Sequence, residues 1–214
     1  MKPEASIGTI ALFASLAALT SAPAAAQSAP ERGVFVTQIG DGSRATIAQQ
    51  NADSFARVVQ NGNDNQADLT QNGSAAHRAQ IAQNGDDNRI EAEQDGDGQN
   101  DLALVQDGTG NSALVLQREV AAAEQSTASI LQRGNGNTLI LAQTGSDNEA
   151  TLEQLGDANT MTATQLDSGN RLAWSQSGDG LADLQIIQTG GGALQVTQSN
   201  TGGAQFAPPP GTGG

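Results

Sequence analysis

The 214-residue chain has no cysteine and no tyrosine, and Lys2 is its only lysine. Without cysteine there are neither disulfides nor thiolate metal sites to stabilise a fold. Aromatic residues make up 2% of the chain, against 26 glycines, so a conventional globular core would be hard to build. Basic side chains are scarce too: 9 Lys and Arg face 23 Asp and Glu, a formal net charge of -14. The basic footprint of a nucleic-acid-binding protein is therefore missing. The acidic balance instead suits a soluble form that repels itself until conditions favour assembly. No apolar run reaches the roughly 20 residues that a membrane-spanning helix needs. The run from Ile7 to Leu19 follows Lys2 and precedes Ala22-Pro23-Ala24-Ala25-Ala26. That order reads as a secretory signal peptide over residues 1–26, cleaved after Ala26, followed by a short N-terminal segment, 27–33.

What the chain has in abundance is a recurring glutamine: Gln38, Gln49, Gln60, Gln71, Gln83, Gln94, Gln106, Gln117, Gln132, Gln143, Gln154, Gln165, Gln176, Gln188 and Gln198. Nine of the fourteen intervals are eleven residues, and a fixed period over most of a chain means a stack of like units. From Gln49 onward, the residues two and four before each glutamine are apolar in all fourteen units, and the residue between them is polar in ten. Such alternation is the mark of a half-buried strand, whereas a helix needs apolar positions three and four apart. Gly, Asn and Asp cluster just after each glutamine and read as tight turns.

The units alternate in kind. Two residues after every second glutamine stands a glycine: Gly40, Gly62, Gly85, Gly108, Gly134, Gly156 and Gly178. The intervening units carry Asn51, Gly73, Gly96, Glu119, Gly145, Asp167 and Gly190 there and vary more in length. The true repeat is thus a rung of about 22 residues with two strands and two different turns. The expected fold is all-β: a two-sheet β-solenoid of about seven rungs over residues 34–198, with Val34, Val36 and Gln38 in an extra leading strand. Stacked rungs would place Asn65, Asn88, Asn111, Asn137 and Asn159 in one column, and Ser54, His77, Asn100, Ser126, Asn148, Asn170 and Gly192 in another. Inward amides are costly to bury singly but hydrogen-bond to their copies when stacked. No capping unit is evident, so both ends should be open templates for another chain. Residues 199–214, with Gly202-Gly203 and Pro208-Pro209-Pro210, read as a flexible tail.

The pattern Q-x-G-x-x-N-x-A-x-[ILV]-x-Q stands complete in Gln60, Gly62, Asn65, Ala67, Leu69 and Gln71, and again in Gln143, Gly145, Asn148, Ala150, Leu152 and Gln154. It resembles the curlin repeat of bacterial curli fibre subunits, over about Val34 to Gln198. The resemblance implies a subunit that leaves through an outer-membrane secretion pore and polymerises on the cell surface into functional amyloid for biofilm matrix and adhesion. It also implies a minor nucleator as a second partner. Seven rungs exceed the five common in that family, tyrosines are missing, and Arg118 to Gln125 is an insertion. The basic terminal repeat associated with the nucleator is absent, which favours a major subunit. Trp174 takes a place usually held by smaller residues and should make its rung bulge.

Other signals are weaker. Acidic turns such as Asp95-Gly96-Asp97-Gly98 suggest calcium, but an EF-hand needs glutamate at the twelfth position, which here is Gln106. The calcium-binding β-roll has a nine-residue period, so no cofactor or metal is expected. His77, the single histidine, is a packing residue whose protonation should destabilise the stack below about pH 6.5. Carboxylates show no convergent pair, so no catalysis is expected. Outward Leu114, Leu116 and Ile140 suit either a lateral fibre contact or simple strand propensity. The rival reading is a soluble monomeric β-solenoid, an adhesin or ice-binding protein, although Thr46, Arg57, Asp68, Gln80 and Glu91 are too mixed for regular threonine columns.

Overall fold

The computed structural model describes residues 32–200 and 203–207, so the expected signal peptide and most of the tail lie outside the described residues. Sixteen strands follow in chain order. The first eight are β1 Gly33–Ile39, β2 Arg44–Gln49, β3 Phe55–Asn61, β4 Gln66–Gln71, β5 Arg78–Asn84, β6 Arg89–Gly96, β7 Gln99–Asp107 and β8 Ser112–Glu119. The rest are β9 Gln125–Arg133, β10 Thr138–Gly145, β11 Glu149–Leu155, β12 Thr160–Leu166, β13 Arg171–Ser177, β14 Leu184–Thr189, β15 Ala193–Ser199 and β16 Gly203–Ala207. No proline occurs between Pro30 and Pro208, so every residue of this stretch has a backbone N–H for the ladders.

Odd strands β1 to β15 form one parallel sheet, and even strands β2 to β14 form the other. Each sheet is in register glutamine on glutamine, as in Gln60 on Gln83 and Gln71 on Gln94. The fold is an all-β, two-sheet solenoid of about seven turns. Its core is thin, because each strand supplies chiefly the two apolar residues ahead of its glutamine, such as Ala79 and Ile81 or Leu139 and Leu141. These side chains are buried through the middle of the column, whereas Ala45 and Ile47 at one end and Leu184 and Leu194 at the other are half-buried. The terminal rungs have a complete rung on one side only.

The insertion leaves the stacking intact. It loops out between β8 and β9, and Gln106 still sits on Gln132 across the longer rung. Leu114 pairs with Ile140 on the outer face of the even sheet, as their spacing suggested.

Two expectations are corrected. Trp174 causes no bulge: β13 keeps residue-for-residue register with β11 and β15, and the ring is buried. Its ring belongs to the same buried cluster as Met161 and Leu172. The indole Nε1 is left without an acceptor. The second correction concerns the C-terminal end. The expected tail supplies β16, which pairs antiparallel with β15 from Gln195 on Ala207 to Ser199 on Gly203. A backbone edge left bare by β15 attracts any extended segment within reach, and a short linker brings this one back. That end of the odd sheet is therefore covered.

The turns after the odd strands place the residue four after each glutamine in the left-handed region. Gly42, Gly110, Gly136 and Gly180 take this position, as do Asp64 and Asp87, but Ala158 sits there with φ 55°. An alanine gains nothing from that conformation, which crowds its Cβ against the backbone. Ala158→Gly should therefore stabilise the monomer by about 1 kcal/mol, read as a higher urea midpoint at unchanged m-value.

Candidate self-assembly ladders

The inward glutamines form two unbroken side-chain chains. In the odd sheet each Nε2 donates to the Oε1 of the next glutamine, from Gln38 through Gln60, Gln83, Gln106, Gln132, Gln154 and Gln176 to Gln198, over 2.7–3.0 Å. In the even sheet Gln49, Gln71, Gln94, Gln117, Gln143, Gln165 and Gln188 do the same over 2.6–3.0 Å. The second amide hydrogen crosses the core to a backbone carbonyl of the opposite sheet. Gln71 reaches the Phe55 carbonyl at 3.2 Å, Gln94 that of Arg78 at 2.8 Å, and Gln165 that of Glu149 at 3.0 Å. Each buried amide thus holds its own column together and also ties the sheets to each other.

The asparagine column occupies the odd turns. The Oδ1 of Asn65, Asn88 and Asn111 each accepts both the backbone N–H and the Nδ2 of the next asparagine, at 3.0–3.1 Å. Asn137 Oδ1 accepts the Asn159 backbone N–H, and Asn159 Oδ1 that of Leu181, both at 3.0 Å. The Nδ2 groups of Asn88, Asn111 and Asn137 each donate to the next rung's turn glycine, Gly108, Gly134 or Gly156, at 2.8 Å. Those glycines are themselves required. A Cβ on Gly62 would collide with the Gly85 carbonyl, and the same crowding recurs up the column at Gly40, Gly85, Gly108, Gly134 and Gly156. Gly178 packs instead against the Asn200 side chain.

The second column uses unlike acceptors for one task. Ser54 Oγ accepts the His77 N–H at 3.1 Å, and His77 Nδ1 accepts the Asn100 N–H at 3.2 Å. Ser126 Oγ accepts the Asn148 N–H at 3.2 Å, and Asn148 Oδ1 that of Asn170 at 3.1 Å. Because Nδ1 is an acceptor, Nε2 carries the hydrogen, donated to the Asn72 carbonyl at 2.5 Å. At the insertion the series is interrupted, and the buried Asn100 Oδ1 has no partner.

Two features were not drawn from the sequence. Three residues after each odd glutamine stand Asp41, Asn63, Asp86, Thr109, Asn135, Asp157 and Asp179, a visible column. The Oδ1 atoms of Asn63, Asp86, Asn135, Asp157 and Asp179 each accept the backbone N–H of the residue one rung earlier, at 2.7–3.0 Å. The acidic turns are therefore hydrogen-bond acceptors as well as charges. The other is Glu119, fully buried, which replaces a turn glycine. Its Oε1 accepts the Ala121 N–H at 3.0 Å, and its Oε2 accepts Ser126 Oγ at 2.8 Å and the Asp147 N–H at 3.1 Å. It anchors the insertion to the rungs on either side. A single acid at a glycine position beside an insertion was the only signal for it.

Gln106→Ala should cost about 3 kcal/mol, because it strips the acceptor from Gln83, the donor from Gln132 and fills neither space. The exposed Gln80→Ala should change the stability by under about 0.5 kcal/mol in a urea titration. Burial pushes the His77 imidazole below its ordinary 6.5, against smaller upward pulls from the Asn72 carbonyl and Asp95. The unfolded chain then binds the extra proton, so the stability is present above about pH 6.5 and lost as pH falls through the window below it. Asp101 acts in the opposite sense, since burial raises its pKa more than Arg78 lowers it. Urea titrations at pH 5 to 8 should thus show His77→Asn losing less stability on acidification than wild type. Parallel profiles would refute this role.

The curlin associated repeat family matches the chain three times, over residues 62–96, 123–156 and 134–166. Those segments contain β4 to β6 and β9 to β12, with their glutamines, asparagines and turn glycines. No curated protein and no solved structure matches the chain. Repeat spacing, solenoid and family match converge: this chain carries curlin associated repeats.

Proposed function

We propose that this protein is a secreted structural subunit that polymerises by templated strand addition into curli-type extracellular amyloid, serving biofilm matrix and adhesion. The observation that carries the reading is the polarity of the glutamine chains. Every amide donates toward the C-terminal rung, so Gln38 Oε1 stands without a donor among the described residues at one end. At the other end Gln198 Nε2 uses one of its two hydrogens on the Ala182 carbonyl. An acceptor end and a donor end fit only head to tail. The N-terminal end also exposes apolar Val34, Phe35, Val36 and Ile39. A rung of another copy placed there would bury the core-facing Val34 and Val36.

On this reading the ladder residues Gln49 to Gln188, the asparagine column and the turn glycines are the self-assembly residues. The partner is the chain itself. A minor nucleator subunit and an outer-membrane secretion pore are the further partners that curlin repeats suggest, and the N-terminal leader accounts for export. No helix among the described residues is long and apolar enough to cross a membrane. The repeats serve a structural role, and the reading requires no catalysis.

One observation favours a second reading, a soluble monomeric solenoid: β16 covers the end of one sheet. Assembly assays separate the two. The mature chain at neutral pH should bind thioflavin with time and give fibre diffraction at about 4.7–4.8 Å along the axis. A chain that stays monomeric for days without that reflection would sink the fibre reading and leave the monomer.

A further inference from the structure

Fifteen parallel strands is an odd number, and the two sheets end unevenly. The odd sheet contributes eight parallel strands, β1 to β15, and the even sheet seven, β2 to β14. After β15 the next strand of a continuing solenoid belongs on β14, in the even sheet. A following copy begins with β1, which lies in the odd sheet of its own column. Were it added in the same orientation, β1 would sit on β15. Its β2 would then be separated from β14 by one missing strand, leaving two facing edges with unpaired N–H and C=O groups.

Resting on the fibre reading above, we propose that each copy joins the last turned by half a revolution about the column axis. Its β1 docks on β14 and its β2 on β15, and β16 must first leave β15. In this join apolar meets apolar and glutamine meets glutamine along both edges. Val34 falls on Leu184, Val36 on Ile186 and Gln38 on Gln188 along one edge. Ala45 falls on Leu194, Ile47 on Val196 and Gln49 on Gln198 along the other. Both glutamine chains then run on from copy to copy, with Gln188 exchanging its Gly192 carbonyl for Gln38. The half-buried Ala45, Ile47, Leu184 and Leu194 become interior.

The β16 strand holds the place that β2 of the next copy needs, because it pairs with Gln195 through Ser199. It is antiparallel and five residues long, and its Phe206 is 59% exposed opposite Val196. A short antiparallel strand with an exposed ring is a weaker partner for β15 than an in-register rung, whose Gln49 and Ile47 continue existing columns. It therefore acts as a removable stop on growth at the C-terminal end.

Single-cysteine full-length chains test the join, since the native sequence has no cysteine. Thr197, Ala48 and Thr37 are exposed, and register places Thr197 of one copy beside Ala48 of the next in the half-turn join. In the unrotated join Thr197 meets Thr37 instead. Fibres grown from equal parts of Thr197→Cys and Ala48→Cys chains should give disulfide dimers on oxidation, and Thr197→Cys with Thr37→Cys should not. The reverse pattern, or no dimer from either mixture, overturns the half-turn join. A chain carrying Thr197→Cys and Gln205→Cys, which pair across β15 and β16, should not elongate when oxidised and should do so once reduced. Elongation of the oxidised form at the reduced rate overturns the stop. If the wild type and every reduced variant form no fibre at all, the fibre reading itself falls, and the join with it.

Discussion

A buried side-chain amide needs a partner for each of its donors and acceptors, and this chain buries them on almost every strand. Nothing in a thin core of Ala, Val, Ile and Leu can supply those partners. An identical amide one rung away can, because the spacing of hydrogen-bonded strands, about 4.8 Å, suits an amide-to-amide hydrogen bond between stacked side chains. Repetition is thus a condition for burying glutamine at all. The other constraints follow from it. Strands must run parallel and in register, turns must return the chain to the same height, and glycine must stand where successive turns come into contact.

The same logic explains how irregularity is tolerated. A rung can lengthen, as at residues 120–124, provided that Gln106 still meets Gln132 and Gln117 still meets Gln143. The disturbance is confined to the permissive turn. There Glu119 collects the stray N–H groups, and only Asn100 Oδ1 is left unpartnered in the interrupted column. Chemical identity matters less than acceptor position: serine, histidine and asparagine each receive a backbone N–H in the second column. Histidine alone brings a titrating group into that role, so the column acquires a pH dependence that asparagine would not confer.

A column stabilised by stacking is least satisfied at its ends. The N-terminal end leaves Val34 and Val36 exposed, and the C-terminal end has turned its own tail into a strand. The ends therefore differ in chemistry as well as direction, which would give the proposed growth a polarity. Net acidity opposes the approach of copies, and the exposed ion pairs, such as Arg171 with Asp147 and Glu149, offset little of it.

Much of this was legible in the residues. Alternation two and four before each glutamine specified strands, faces and register, because side chains of a strand alternate and a one-residue slip would expose the core. The asparagine and glycine columns were equally visible. The turn carboxylates are visible as a column, but their role as acceptors depends on where the neighbouring rung's N–H points. Three features needed the tertiary structure. Trp174 keeps its register with its ring inside the core, a fit between strands that the spacing alone does not reveal. Glu119 is buried because the insertion folds over it. Residues 203–207 become a strand because β15 offers a bare edge, although their glycine- and proline-rich surroundings have no strand pattern of their own. Local sequence determined the repeat, since each rung repeats the same demand for partners. The exceptions were decided by what lay beside them in space.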